Sequence, residues 1–192
     1  MSLKVLAGEA RGRMLKTLPQ EDLSIRPMLG RMKKSVFDIL QTKIFDCSFL
    51  DLYAGVGSVG IEALSRGAKF CVFAELAAAS LKLIKQNINF LKFDDRAEII
   101  RCDIIKDFAL LRNKYDIVFA GPPYKDVNKK MLALTKPTLQ NIVRFEILKE
   151  DSVLLSQRHK TEFVGAIDGL NLFRSEKYGD TIIDFYKLSL RA

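Results

Sequence analysis

An apolar strand, Phe49 to Tyr53, runs directly into Gly55-Val56-Gly57-Ser58-Val59-Gly60, and a helix follows to Arg66 before Gly67 ends it. A glycine loop between a strand and a helix belongs at the carboxyl end of a strand in an open α/β sheet, where such sheets bind ligands. The glycines let the backbone turn sharply and come close to a ligand. The alternation continues beyond the loop. Lys69 to Glu75, Ala97 to Arg101 and Tyr115 to Ala120 read as strands. Between them lie a helix from about Ala78 to Leu91, with Leu81, Ile84 and Ile88 on its apolar stripe, and a short helix from Ile104 to Leu111. A helical region follows Val127, and Val153 to Ser156, Leu170 to Phe173 and Thr181 to Leu188 read as later strands. This pattern predicts an α/β fold with a doubly wound, mostly parallel, seven-stranded sheet and one antiparallel edge. Ahead of it, Leu3 to Ala7 and Met14 to Leu18 predict a hairpin. Leu29, Met32, Val36, Phe37 and Leu40 then recur at helical spacing, with Arg31, Lys33 and Lys34 mostly off that stripe. Residues 1–45 therefore read as a basic hairpin-and-helix extension, and residues 46–192 as the ligand-binding domain.

Hydrophobic residues make up 48% of the chain and charged residues 28%, enough for a core and a solvated surface. No apolar run is long enough to span a bilayer, and Met1-Ser2-Leu3-Lys4 opens no signal-peptide region. Cys47, Cys71 and Cys102 are odd in number, lie far apart and form no CxxC pair. They read as buried free thiols, and the compartment as a reducing one, the cytoplasm. No metal-ligand spacing is present, so no metal is expected.

The acids around the glycine loop decide what it binds. Gly55 to Gly60 fits the dinucleotide pattern G-x-G-x-x-G. Asp51 argues against a pyrophosphate, which takes the positive end of a helix and is repelled by a carboxylate. It suits a cationic amino-acid end instead. Asp51 precedes the helix by too many residues to be a local N-cap. Glu75 ends the next strand, where an acid can accept both hydroxyls of a ribose. Asp103 follows the third strand, near an expected adenine position. Three acids at successive strand ends suit S-adenosylmethionine, which carries a ribose, an adenine and a sulfonium but no phosphate. Glu75 and Asp103 could alternatively cap the helices after them.

Gly121-Pro122-Pro123-Tyr124 closes the fourth strand. Two prolines stiffen the backbone and withdraw two N–H donors, leaving carbonyls toward the site. Carbonyl acceptors that hold the hydrogens of an exocyclic amine favour a pyramidal nitrogen aimed at a methyl donor. Tyr124 could stack on a flipped-out base. By itself Pro-Pro-Tyr is more simply a strand-ending turn; after a glycine-rich first loop it reads as a base site.

Together these segments resemble the bacterial 16S ribosomal RNA guanine-N2 methyltransferases, within the class I S-adenosylmethionine-dependent Rossmann-like fold. The resemblance is carried by Leu6-Ala7-Gly8 with Arg11-Gly12-Arg13, by Arg26-Pro27 with Arg31, by Asp51 through Ala68, and by Tyr178-Gly179-Asp180-Thr181. It implies that Asp51, Ala54, Gly55 and Gly57 surround the cofactor's amino-acid end, that Glu75 holds its ribose and Asp103 its adenine. Pro122, Pro123 and Tyr124 would form the base site, and an assembled small subunit or its RNA would be the substrate. The protein would act as a monomer, away from membranes. Two positions depart from the pattern. Met28 replaces a threonine, and Gly121 stands where the family has Asp or Asn before Pro-Pro.

The net charge is +8, and residues 1–43 hold nine basic and four acidic residues. Arg11, Arg13, Arg26, Arg31 and Lys34 are the candidate phosphate contacts, placed by this reading beside the site. A catalytically weakened or inactive RNA- or ribosome-binding relative is the alternative that Gly121 supports. A methyltransferase of another nucleic-acid base or of a small molecule is a further one, and a nicotinamide dehydrogenase the weakest. His159, the sole histidine, reads as a surface or RNA-facing residue without a catalytic role.

Overall fold

The two faces of the central sheet are filled by alternate residues of the same strands. The computed structural model describes residues 3–17, 28, 30–126, 128 and 130–189. Its elements are β1 (Leu3–Lys4), β2 (Met14–Leu15), α1 (Gly30–Leu40), β3 (Ser48–Leu52), α2 (Ser58–Ser65), β4 (Phe70–Glu75) and α3 (Ala78–Leu91). They continue with β5 (Ala97–Arg101), β6 (Tyr115–Ala120), α4 (Thr135–Arg144), β7 (Leu148–His159), β8 (Leu170–Tyr178) and β9 (Thr181–Leu188). Phe49, Cys71, Phe73, Ile117 and Phe119 face one layer, with α1, α2, α3 and the hairpin over them. Leu50, Val72, Ala74, Val118 and Leu154 face the other, which Leu139 and Ile142 of α4 and Phe108 cover. Strands buried on both faces are what a parallel sheet requires.

The strand order is β5-β4-β3-β6-β7-β9-β8. β3 to β7 run parallel, while β9 pairs antiparallel with both β7 and β8. The antiparallel strand thus lies one place in from the edge, and β8 forms the edge itself. α3, β5 and β6 have the bounds predicted from the sequence. The helix expected at Ile104 to Leu111 is a turn followed by a 3-10 helix at Phe108–Leu110. Asp103 caps that turn, accepting the amides of Ile105 and Lys106 while its own amide donates to Asp107 Oδ2. The helix expected after Val127 begins only at Thr135. Ahead of it, Asp126 Oδ1 accepts the amides of Asn128 and Lys130.

The hairpin and α1 share one core with the sheet: Leu3, Val5, Leu15, Met32, Val36 and Phe37 belong to the layer that contains Phe49 and Phe73. Glu62, on α2, joins them. Its side chain is fully buried and accepts the amides of Leu6 (2.8 Å) and Ala7 (3.0 Å). It also pairs with Lys33 at 3.0 Å and Arg66 at 2.8 Å. Lys33 is therefore a core residue, although its position off the stripe reads as exposed. Burial lowers its ammonium pKa, and Glu62 opposes that shift. Gly8 closes the joint from below. With φ +79°, it lets the chain pass so near α2 that a Cβ there would lie 1.6 Å from the Ser65 carbonyl oxygen.

Truncating Glu62 leaves a buried ammonium and two amides unpaired. Glu62→Ala is expected to cost about 3–5 kcal/mol in urea unfolding. Amide exchange at Leu6 and Ala7 should rise with it.

Candidate active site

The glycine loop, Glu75, Asp103 and the Pro-Pro-Tyr turn follow β3, β4, β5 and β6 at the carboxyl end of the sheet. After β3 the backbone is left-handed at Tyr53 (φ +59°), Gly55 (+57°) and Gly57 (+81°). Tyr53 is a bulky residue in a region disfavoured for it. Its hydroxyl holds the side of the loop, 2.7 Å from Thr138 Oγ1 on α4. Ala54 N donates to Ala74 O at 3.2 Å, and Gly57 N to Ala54 O at 2.8 Å. The third glycine serves packing: a Cβ at Gly60 would lie 2.4 Å from the Phe73 ring and 2.6 Å from the Cys71 sulfur.

Asp51 is only 1% exposed, and its Oδ2 accepts the Gly60 amide at 2.8 Å. It thus satisfies a first-turn amide of α2 from the strand below, a capping role that sequence distance argues against. Burial pushes its carboxyl up to about 8; the Gly60 hydrogen bond and Lys33 pull the other way, and Glu75 adds to the rise. Glu75 reaches over the loop. Its Oε2 accepts Gly55 N at 2.8 Å, and its Oε1 accepts Leu76 N (2.8 Å) and Ala77 N (2.9 Å) just ahead of α3. A carboxylate has about four acceptor positions. The three bonds leave capacity on Oε2, beside the loop. Asp103 is turned to its own chain, through Ile105 N (2.9 Å) and Lys106 N (3.2 Å).

The Pro-Pro-Tyr turn abuts this loop, because Gly121 N donates to Leu52 O at 3.2 Å. Pro122 is buried and Pro123 exposed. Tyr124 is half-buried, and burial raises its phenol pKa. Its hydroxyl donates to Thr181 Oγ1 at 3.2 Å, and its ring meets His159 at 5.6 Å. Neither partner was singled out for the site from the sequence. The motif Tyr178 to Thr181 was the available signal. Gly121 has a packing reason: a Cβ there would lie 2.9 Å from the Phe119 ring.

The basic candidates separate. Arg31 is exposed, and Lys34 pairs with Asp38 at 2.6 Å. Both lie near the amino end of α1, where the Lys33 ammonium reaches Ser58 O at 3.3 Å. The hairpin bend is at the opposite end of α2, where Glu9 N donates to Ser65 O at 2.8 Å. Arg11 and Arg13 therefore do not border the glycine loop, and Arg13 stacks on Phe90 at 5.3 Å. Arg26 lies outside the described residues.

Residues 3–187 match the protein family described as "Conserved hypothetical protein 95". The chain belongs to that family. It is 30% identical over 189 residues to "Putative rRNA methyltransferase YlbH" of Bacillus subtilis (strain 168), across 96% of this chain and 98% of the relative. A further relative, "Ribosomal RNA small subunit methyltransferase D" of Haemophilus influenzae, is 37% identical over 125 residues, 64% of each chain. A solved structure, "Putative methyltransferase yhhF from Escherichia coli", superposes over 100% of both chains with a TM-score of 0.83 at 22% identity. The family's methyltransferase fold is the one seen here. No helix among the described residues is long and apolar enough to cross a membrane.

The raised carboxyl of Asp51 has a pH signature. Its pKa in the fold is about 8, against an ordinary 3.8. A raised acid contributes stability below its ordinary value and loses it as pH rises toward the folded value. Relative to Asp51→Asn, the protein without ligand is expected to lose stability between about pH 4 and pH 8, by at most about 1.4 kcal/mol per pH unit. Urea midpoints across that range check it; parallel profiles would mean that Asp51 does not titrate there.

Proposed function

We propose that this chain transfers the methyl group of S-adenosylmethionine to the exocyclic N2 of a guanine in the 16S RNA of the small ribosomal subunit. One observation carries the reading: the Gly121 amide is bonded to Leu52 O, which joins the Pro-Pro-Tyr turn to the glycine loop at neighbouring strand ends. The names of the relatives, ribosomal RNA methyltransferases, support the substrate class.

The residues present fit the cofactor. The left-handed glycines bring the backbone close to a ligand, and Glu75 beside the loop is a carboxylate suited to a ribose. Glu75 Oε2 would take a ribose hydroxyl, Asp103 would lie toward the adenine, and Ala54, Gly55 and Gly57 would border the amino-acid end. Asp51 acts from beneath, by fixing the start of α2. When bound, the sulfonium supplies an activated methyl group. The chain's own part is to hold the acceptor. The carbonyls of the Gly121 to Pro123 turn would take the hydrogens of the guanine amine, and the Tyr124 ring would stack on the base. Arg31 and Lys34, at the site end of α1, are the nearer phosphate contacts. RNA that also touched Arg11 and Arg13 would have to follow the length of α2, about 12 Å.

Gly121 favours a second reading, a weakened or inactive RNA-binding relative. The Phe119 ring leaves little room for the side chain that the family carries there.

Labelled methyl transfer to small subunits that lack their own modifications tests the choice. N2-methylguanosine is the expected product. No transfer, with cofactor binding retained, would favour the second reading. In an active enzyme, Gly121→Asp alone is expected to disturb Phe119 and lose stability. Gly121→Asp with Phe119→Leu should raise turnover on the order of tenfold or more, the scale of one added polar group at a reacting centre.

A further inference from the structure

We infer that His159 and Thr181 are positioning residues for Tyr124: they clamp its hydroxyl and its ring, so that a fixed aromatic face awaits the target base. The inference rests on the reading of Tyr124 as the base-stacking residue.

The clamp closes from the far side of the site. Tyr124 Oη donates to Thr181 Oγ1 at 3.2 Å, which fixes the end of the ring. A hydrogen bond at the end of a phenol still leaves the ring plane free to turn. His159 supplies the second restraint, meeting the ring at 5.6 Å between centroids and 65° between planes. This is an edge-to-face contact, a favoured geometry for aromatic pairs. The two partners come from adjacent strands. His159 and Thr181 stand directly opposite each other in the β7–β9 ladder.

Each partner is itself held. Thr161 N donates to His159 Nδ1 at 3.3 Å, and Thr161 Oγ1 lies 2.7 Å from the same nitrogen. Glu162 N donates to His159 O at 3.0 Å and closes the turn after β7. On the other strand, Lys160 N donates to Asp180 O at 2.8 Å, next to Thr181. Tyr178 Oη donates to Ser35 Oγ on α1 at 2.6 Å, which anchors the β8–β9 turn to the helix on the same face of the sheet. Tyr124's own backbone is pinned by the two prolines before it and by Leu132 N, which donates to Tyr124 O at 2.8 Å. The Tyr178 to Thr181 segment thereby gains a function: it carries one jaw of the clamp and ties it to α1.

A free tyrosine would have to be ordered each time a base arrived. A clamped one has met that cost before binding, and the gain appears in the bound, reacting complex.

The test uses the full chain, small subunits that lack their own modifications and labelled S-adenosylmethionine. His159→Ala is expected to lower kcat about three- to tenfold, the scale of an edge-to-face pair, with the KM for S-adenosylmethionine unchanged. His159→Phe keeps an aromatic edge and should recover most of the loss. Thr181→Val removes a hydrogen bond that Tyr124→Phe also removes along with the one to Gln157, so the double variant should lose no more than Tyr124→Phe alone. Tyrosine-labelled NMR, with the Tyr124 signal assigned through Tyr124→Phe, reads the clamp without turnover. His159→Ala should shift that signal and speed the ring flip. An unchanged ring signal, wild-type kcat in His159→Ala, or losses that multiply in the double variant would each overturn the clamp. If His159→Ala does not fold, the Tyr124 and Thr181 variants decide alone. Tyr124→Ala with undiminished turnover would instead sink the base-site reading. If the wild type transfers no methyl group, the ring signal still judges the clamp.

Discussion

Glu62 is the joint on which the arrangement turns. Its four donors come from the hairpin, from α1 and from the end of its own helix, and none of its surface meets water. A carboxylate so placed costs several kcal/mol to desolvate, and it is offset only while every donor stays in reach. The cluster is therefore a poor source of bulk stability and a strong selector of geometry. Its effect reaches the glycine loop along a short path. Lys33 also donates to Ser58 O, in the first turn of α2, and Asp51 holds Gly60 in the same turn. The start of α2 is thus fixed from the α1 side and from the sheet side. The residues that read as an appendage in sequence form part of the frame that sets where the loop lies.

Strain and buried charge gather where this frame meets the site. Tyr53 is left-handed, Asp51 carries a raised carboxyl, and Glu75 spends three acceptor positions on backbone amides. Away from the site, apolar alternation governs the strands. Departures from simple packing rules are expected where function, not stability, sets the geometry.

Much of the fold was legible because parallel strands buried on both faces announce themselves as apolar runs. β6 needed nothing else, while β5 is an edge strand whose residues are half-buried or exposed. β7 and β8 run beyond their apolar stretches: Lys149-Glu150-Asp151 are exposed, charged residues at the register shift between β6 and β7, and Arg174 and Lys177 are exposed, charged residues paired with β9. Lys33 was misread because its partner lies 29 residues away, on α2. The sequence puts the glycine loop, the three acids and the Pro-Pro-Tyr turn at the carboxyl ends of strands, and the structure has them there. What those acids bond could not be read: Asp51 is committed to Gly60 and Asp103 to its own turn. Nor could the end of the sheet that receives the hairpin bend, which Ser65 and Gly8 settle through one close backbone approach. His159 gave no signal of its own, because its neighbour Tyr124 is brought to it by sheet order.

The place of β9 has a consequence for synthesis. Ile183 and Phe185 are fully buried between older parts of the chain, yet they are among the last described residues to be made. Until they leave the ribosome, β7 presents an open, apolar edge, and β8 has no partner that joins it to the sheet. The glycine loop and its helix can form early, but the wall beside Tyr124 cannot. Nascent chains stalled before Thr181 should therefore be prime clients of chaperones that shield unpaired strands.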